Sequence, residues 1–140
     1  MMHSPSAPAQ CASGALAVTM TPQNANVRDG CTTTCQMLLE KQYFGDLVGS
    51  GSGQMLTVIA DSEGSGAYVA IERVSGTLKG KKGAFAVQHA GMMSGGIDEL
   101  SIRIVADTGS GELAGIAGTM AIRTEAGKQF YELHYTLPCR

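Results

Sequence analysis

Glu72 and His89 are the two residues of this chain whose types and spacing point to proton transfer. A carboxylate held against an imidazole is an acid/base couple, and a charge in apolar surroundings needs a partner. Their placement follows from the segment Leu78-Lys79-Gly80-Lys81-Lys82-Gly83. A two-residue hairpin loop at Gly80-Lys81 puts glycine first, as a type II′ turn requires. Lys79 then faces Lys82, and the pairing continues as Gly76 with Phe85, Val74 with Val87, Glu72 with His89 and Tyr68 with Met93. Opposed residues of this kind have Cβ atoms about 4.5–5.5 Å apart, within reach of a carboxylate–imidazole hydrogen bond. This face is apolar, the other carries Arg73, Ser75, Thr77 and Gln88, and the apolar face must point inward. Two readings of the pair stand side by side: an acid/base couple in a cavity, and a structural ion pair closing one end of the fold.

A second hairpin, around Ala126-Gly127, sets Glu125 opposite Lys128, Ile122 opposite Tyr131, Met120 opposite Leu133, Gly118 opposite Tyr135 and Ile116 opposite Leu137. Tyr68, Tyr131 and Tyr135 therefore share inward faces. A phenol in an apolar cavity fixes a ligand oxygen, or simply fills volume. Met120 offers an adaptable apolar wall, and Glu112 has the parity of Ile116 and Met120, which directs it toward one mouth. These five residues are the ligand-binding candidates beside the Glu72/His89 couple.

The elements that must position them are strands. Residues 12–20, 33–44, 46–60, 66–76, 82–93, 98–106, 112–124 and 128–137 are rich in β-branched, leucine or aromatic residues and bounded by Gly, Asp, Ser or Asn. No window shows a helical apolar period. The phrase Gly-x-Leu-x-Gly recurs at Gly45–Gly49, Gly76–Gly80 and Gly111–Gly115, a spacing that accommodates two strands and their turns. Closely spaced glycines suit strands that bend at barrel corners. The expected fold is all-β: an eight-stranded antiparallel up-and-down barrel whose closure removes exposed edges.

The 140 residues make one domain, residues 11–140, behind a Ser/Pro/Ala-rich leader over residues 1–10 that is expected to be disordered. Net charge is −2 with both signs mixed, so there is no basic stripe for nucleic acid. No apolar run is long enough for a membrane helix, and the leader lacks the charged start and apolar core of a signal peptide. A cytoplasmic location is expected.

The run Gly49-Ser50-Gly51-Ser52-Gly53 is followed by a strand rather than a helix, which argues against a phosphate loop. His3, His89 and His134 fall on different faces, so no metal site and no cofactor are expected. Cys31 and Cys35 lack zinc-knuckle spacing. Free thiols are the leading expectation for the four cysteines, with Cys11–Cys139 the favoured pair if a disulfide forms.

The segments Tyr68–Leu78, Gly83–His89 and Gly109–Gly118 resemble the bacterial family catalogued as domain of unknown function 3224, across roughly residues 12–137. The resemblance implies an eight-stranded barrel similar to plant allene oxide cyclase, a calycin-like architecture. It implies no activity, because fold alone does not transmit function. Three expectations follow for such a barrel. It binds a small hydrophobic molecule; or it is an isomerase or cyclase acting on a lipid- or polyketide-like substrate through Glu72 and His89; or it is a packed structural module, with a homo-oligomer as its setting.

Overall fold

The computed structural model describes residues 8–61, 64–95 and 97–138, and all of their regular structure is strand. The elements are β1 (Gln10–Pro22), β2 (Val27–Asp29), β3 (Thr32–Tyr43), β4 (Leu47–Ala60), β5 (Gly66–Leu78), β6 (Lys81–Ser94), β7 (Ile97–Ile104), β8 (Ser110–Gly111), β9 (Ala117–Glu125) and β10 (Lys128–Thr136). Eight of them close a barrel in the order β1-β10-β9-β7-β6-β5-β4-β3, with every pairing antiparallel and β3 returning to β1. The short strands β2 and β8 lie off this cycle, on β3 and β6. Closure rests on β1: its first half pairs with β10 from Gln10 to Leu16, and its second half pairs with β3 from Leu16 to Pro22. Of the expected leader, residues 1–7 lie outside the described residues, and Gln10 already belongs to β1.

Two details differ from the sequence expectation. The β5–β6 hairpin turns at Lys79-Gly80, not at Gly80-Lys81: both residues have positive φ, 46° and 86°, the signature of a type I′ loop. The register is therefore displaced by two residues. Leu78 pairs with Lys81, Val74 with Phe85, Ala70 with His89 and Glu72 with Val87. A shift of two preserves which face each side chain occupies, so the inward set is unchanged. The second hairpin has the expected register from Glu125/Lys128 through Tyr135/Gly118, but Ile116 and Leu137 lie just beyond its ladder.

The other difference concerns residues 112–116, expected to be strand. They form tight turns, with Leu113 N donating to Ser110 O and Ile116 N to Leu113 O. Gly111 and Gly115 supply the positive φ angles that fold the chain back.

The repeated Gly-x-Leu-x-Gly phrase has one structural role. Leu47, Leu78 and Leu113 are all buried in the main core cluster: Leu47 pairs with Leu78 across β4–β5, and Leu113 sits against Gly83 on β6. With Phe85, Ile116 and Leu137 they fill one half of the barrel. A smaller cluster of Leu39, Met55 and Ala70 belongs to the other half. On the outer face, Leu56, Val69, Ile71 and Met92 are exposed, so apolar residues occupy both faces of β4, β5 and β6 there. Among the described residues no helix is long and apolar enough to cross a membrane. Cys11, Cys31 and Cys35 are unbridged, and Cys139, the expected partner of Cys11, lies outside the described residues.

Lys79 holds a left-handed conformation that costs an ordinary residue about 1–2 kcal/mol. Lys79→Asn, which creates the Asn-Gly pair that type I′ loops favour, should stabilise the protein by up to about 1 kcal/mol, read as a higher denaturant midpoint at unchanged m-value.

Candidate functional site

At the centre of the barrel lies a carboxylate with no exposure to solvent. Glu72 projects inward from β5 and is 0% exposed; Lys41 on β3 is 5% exposed and His89 on β6 is 4% exposed. Glu72 Oε1 accepts from Lys41 Nζ at 2.9 Å and from His89 Nε2 at 2.8 Å. Its other oxygen, Oε2, accepts from the Tyr43 hydroxyl at 2.5 Å. Glu72 and His89 are thus brought together as diagonal rather than directly opposed neighbours.

The reach from β3 to β5 crosses an intervening strand, and the glycine-serine run makes it possible. On β4, Gly49, Gly51 and Gly53 alternate with the exposed Ser50 and Ser52, so the glycines face the lumen. Gly51 is paired with Lys41, and a Cβ placed on it would stand 2.0 Å from Glu72 Oε2. The missing side chains open a passage through which Lys41 and Tyr43 bond the carboxylate.

Burial by itself would raise the Glu72 carboxyl. The His89 hydrogen bond, the Lys41 charge and the bonds from Tyr43 and Lys41 together outweigh it and hold the carboxyl below its ordinary value. An ionised carboxylate only accepts, so His89 Nε2 carries the proton of their hydrogen bond. Burial, followed by the Glu72 charge, pushes the Tyr43 phenol far above its usual range, which keeps it a neutral donor.

Above this cluster the barrel is hollow. A cavity of about 650 Å³ is bordered by inward residues of all eight closing strands, among them Val18, Leu39, Met55, Tyr68, Ala70 and Ile102. Lys41 and His89 border it as well, as its polar floor, and Met20 and Leu100 stand half-exposed at its rim.

The profile of the family described as protein of unknown function (DUF3224) matches residues 12–135. The chain belongs to this family. A crystal structure of a DUF3224 protein of unknown function from Shewanella oneidensis MR-1 is 37% identical, with a TM-score of 0.89 over 95% of this chain and 100% of that one. No curated protein matches the chain.

Within this DUF3224 barrel the candidate residues separate into two groups. Tyr68 borders the cavity whose floor is Lys41 and His89, and burial pushes its phenol up. Met120, Tyr131 and Tyr135 face inward but belong to the packed core and do not border the cavity. The Tyr131 hydroxyl accepts from Leu47 N at 2.9 Å and donates to Phe44 O at 2.8 Å, pinning the β3–β4 turn, while its ring meets Tyr43 edge-on. Tyr135 donates to Gln10 Oε1. Glu112 is exposed rather than luminal, because the turns after β8 reverse the chain, and its Oε1 accepts from Lys82 N.

Lys41 and Tyr43 were not among the candidates, although a signal for them exists. In the strand 33–44 the alternate residues Met37, Leu39, Lys41 and Tyr43 place a lysine in an otherwise apolar inward series. Away from the lumen, Cys11, Glu132 and His134 hold potential metal-ligand atoms within 4.8 Å of one another at the barrel surface, a grouping that histidine faces alone did not reveal. His3 lies outside the described residues.

Removing the carboxylate leaves Lys41 buried and uncompensated. Glu72→Gln should therefore destabilise the protein by about 3–5 kcal/mol, and Lys41→Met combined with Glu72→Gln should recover most of the loss in chemical denaturation. The acid limb follows from the same group. Its folded value lies below the ordinary 4.5, so the unfolded chain takes up the proton first. The stability it contributes is fully present above pH 4.5 and declines as pH falls below that value toward the folded one. The double variant should show a shallower acid limb than the parent protein.

Proposed function

We propose that this protein binds a small hydrophobic molecule in the hollow half of its barrel. The observation that carries the reading is the cavity of about 650 Å³, walled by apolar side chains from β1, β3, β4, β5, β7 and β9. Its volume lies within the range of sites that enclose drug-sized ligands, about 300–1,000 Å³. Apolar walls supply affinity by excluding water, and the few polar groups at the floor fix orientation. The packed leucine end closes the other side, so a ligand enters past Met20 and Leu100.

A second reading, an isomerase or cyclase on such a ligand, is favoured by the Glu72–His89 hydrogen bond at 2.8 Å. Glu72 holds Nε2 and thereby leaves the basic lone pair of Nδ1 for proton transfer, while water exclusion strengthens electrostatic effects in the cavity. Chemical change in a ligand after incubation with the protein separates this reading from simple binding.

Nile red, an uncharged apolar probe, should bind the native protein with a blue shift and saturate at one per chain. Ala70→Trp fills the cavity wall, so it should abolish uptake while leaving the far-UV circular dichroism spectrum unchanged; overpacking of this kind costs typically ~1–3 kcal/mol. A wild-type protein that takes up no probe would overturn the binding reading.

A further inference from the structure

The cavity floor holds hydrogen-bonding capacity that the protein itself does not use. Lys41 is almost wholly buried, and its ammonium carries three N–H donors. Among the described residues Nζ donates to one acceptor, Glu72 Oε1. Glu72, by contrast, accepts from three donors, Lys41, His89 and Tyr43. Across the sheet Lys41 is paired with Val18 on β1 and Gly51 on β4, neither of which offers a side-chain acceptor. Buried donors without acceptors are costly, and native structures rarely retain them.

We propose that the ligand is an apolar molecule carrying an uncharged carbonyl group at its inner end, seated so that its oxygen accepts from Lys41 Nζ. This rests on the binding reading above and specifies the chemistry of the ligand. Charge selects the class. Lys41 and Glu72 compensate each other, so a carboxylate seated at Lys41 would place a second negative charge beside Glu72. A carbonyl oxygen adds no charge. Its oxygen accepts from one of the two remaining ammonium N–H groups, and it brings no donor that would need a partner of its own. A hydrocarbon would leave those donors buried and unanswered.

The polarised carbonyl also gives the neighbouring His89 a defined task if the bound molecule reacts. With Nε2 held by Glu72, Nδ1 removes a proton from the carbon next to the carbonyl. The C–H electron pair becomes the new C=C bond, the carbonyl π electrons move to oxygen, and the Lys41 ammonium stabilises the enolate. Where a C=C adjoins that carbon, the enolate extends into it; as the carbonyl re-forms, the same proton returns to the far carbon of that double bond, and the C=C has moved into conjugation with no external oxidant or reductant.

The test is displacement of Nile red from the wild-type protein by four naphthalene derivatives of matched shape: ethyl, methyl ketone, methyl carbinol and carboxylate. A hydrogen bond from a charged donor predicts that the ketone binds about tenfold or more tighter than the ethyl compound, and tighter than the carbinol and the carboxylate. Equal binding of ketone and ethyl compound would overturn the proposal, as would tightest binding by the carboxylate or the carbinol. Absence of Nile red uptake would instead overturn the binding reading beneath it. An infrared measurement serves as a variant-free second readout: the isotope-labelled ketone should show a lower carbonyl stretch when bound than in hexane. A bound stretch at the hexane position would overturn the proposal. In the Lys41→Met/Glu72→Gln protein, the ketone preference should collapse to within about twofold, and persistence of the full preference would exclude Lys41 as the donor.

Discussion

Burial of one carboxylate organises this barrel. Glu72 has no access to water, so its charge must be met from inside, and the protein meets it with three donors drawn from two other strands. Two of those donors sit on β3, one strand too far away to touch β5 across an ordinary β4. The glycines of β4 are therefore a geometric consequence of the carboxylate, and the position of Lys41 follows from them in turn. An isolated buried ion pair contributes little net stability, because desolvation cancels most of the attraction. Its value here lies in specification: the polar cluster meets its full set of partners only when β3, β4, β5 and β6 are in one register.

The same cluster divides the interior. Below it, leucines from three copies of one sequence phrase pack with Phe85 and Ile116 into a conventional core. Above it the inward side chains leave space. A domain of this size can dispense with half a core because the packed half and the closed hydrogen-bond ladder carry the fold. The hollow half is then free to be shaped by a ligand, and its polar boundary is already buried and ordered before anything binds.

Much of this was legible in the sequence, and the failures are instructive. Alternation fixes which face a side chain occupies, so Glu72 and His89 emerged as inward neighbours even though the hairpin turned one residue earlier than expected. That survival is a property of period two: a slip of two residues changes partners and leaves faces intact. Parity misled at Glu112 because it assumes a continuous strand, and two positive-φ glycines break the strand there. It likewise placed Tyr131 and Tyr135 inward without saying at which level of the barrel they lie, and depth decides between packing and lining. Lys41 was visible as an interruption in an apolar series, but its partner is two strands away. Contacts across an intervening strand leave no trace in local pairing rules.

The way the barrel closes has a consequence for how it forms. β1 is shared between β10 and β3, and the contact between Tyr135 and Gln10 spans 125 positions of sequence. The hairpins in between are local and can assemble early, whereas the final seam must wait for two distant segments to find each other, and such nonlocal pairing slows folding. Until that seam forms, one flank of β1 and one flank of β10 are open edges, each able to pair with the corresponding edge of another chain. The ladder that joins β1 to both of its neighbours thus makes its own formation the moment of greatest exposure to misassembly.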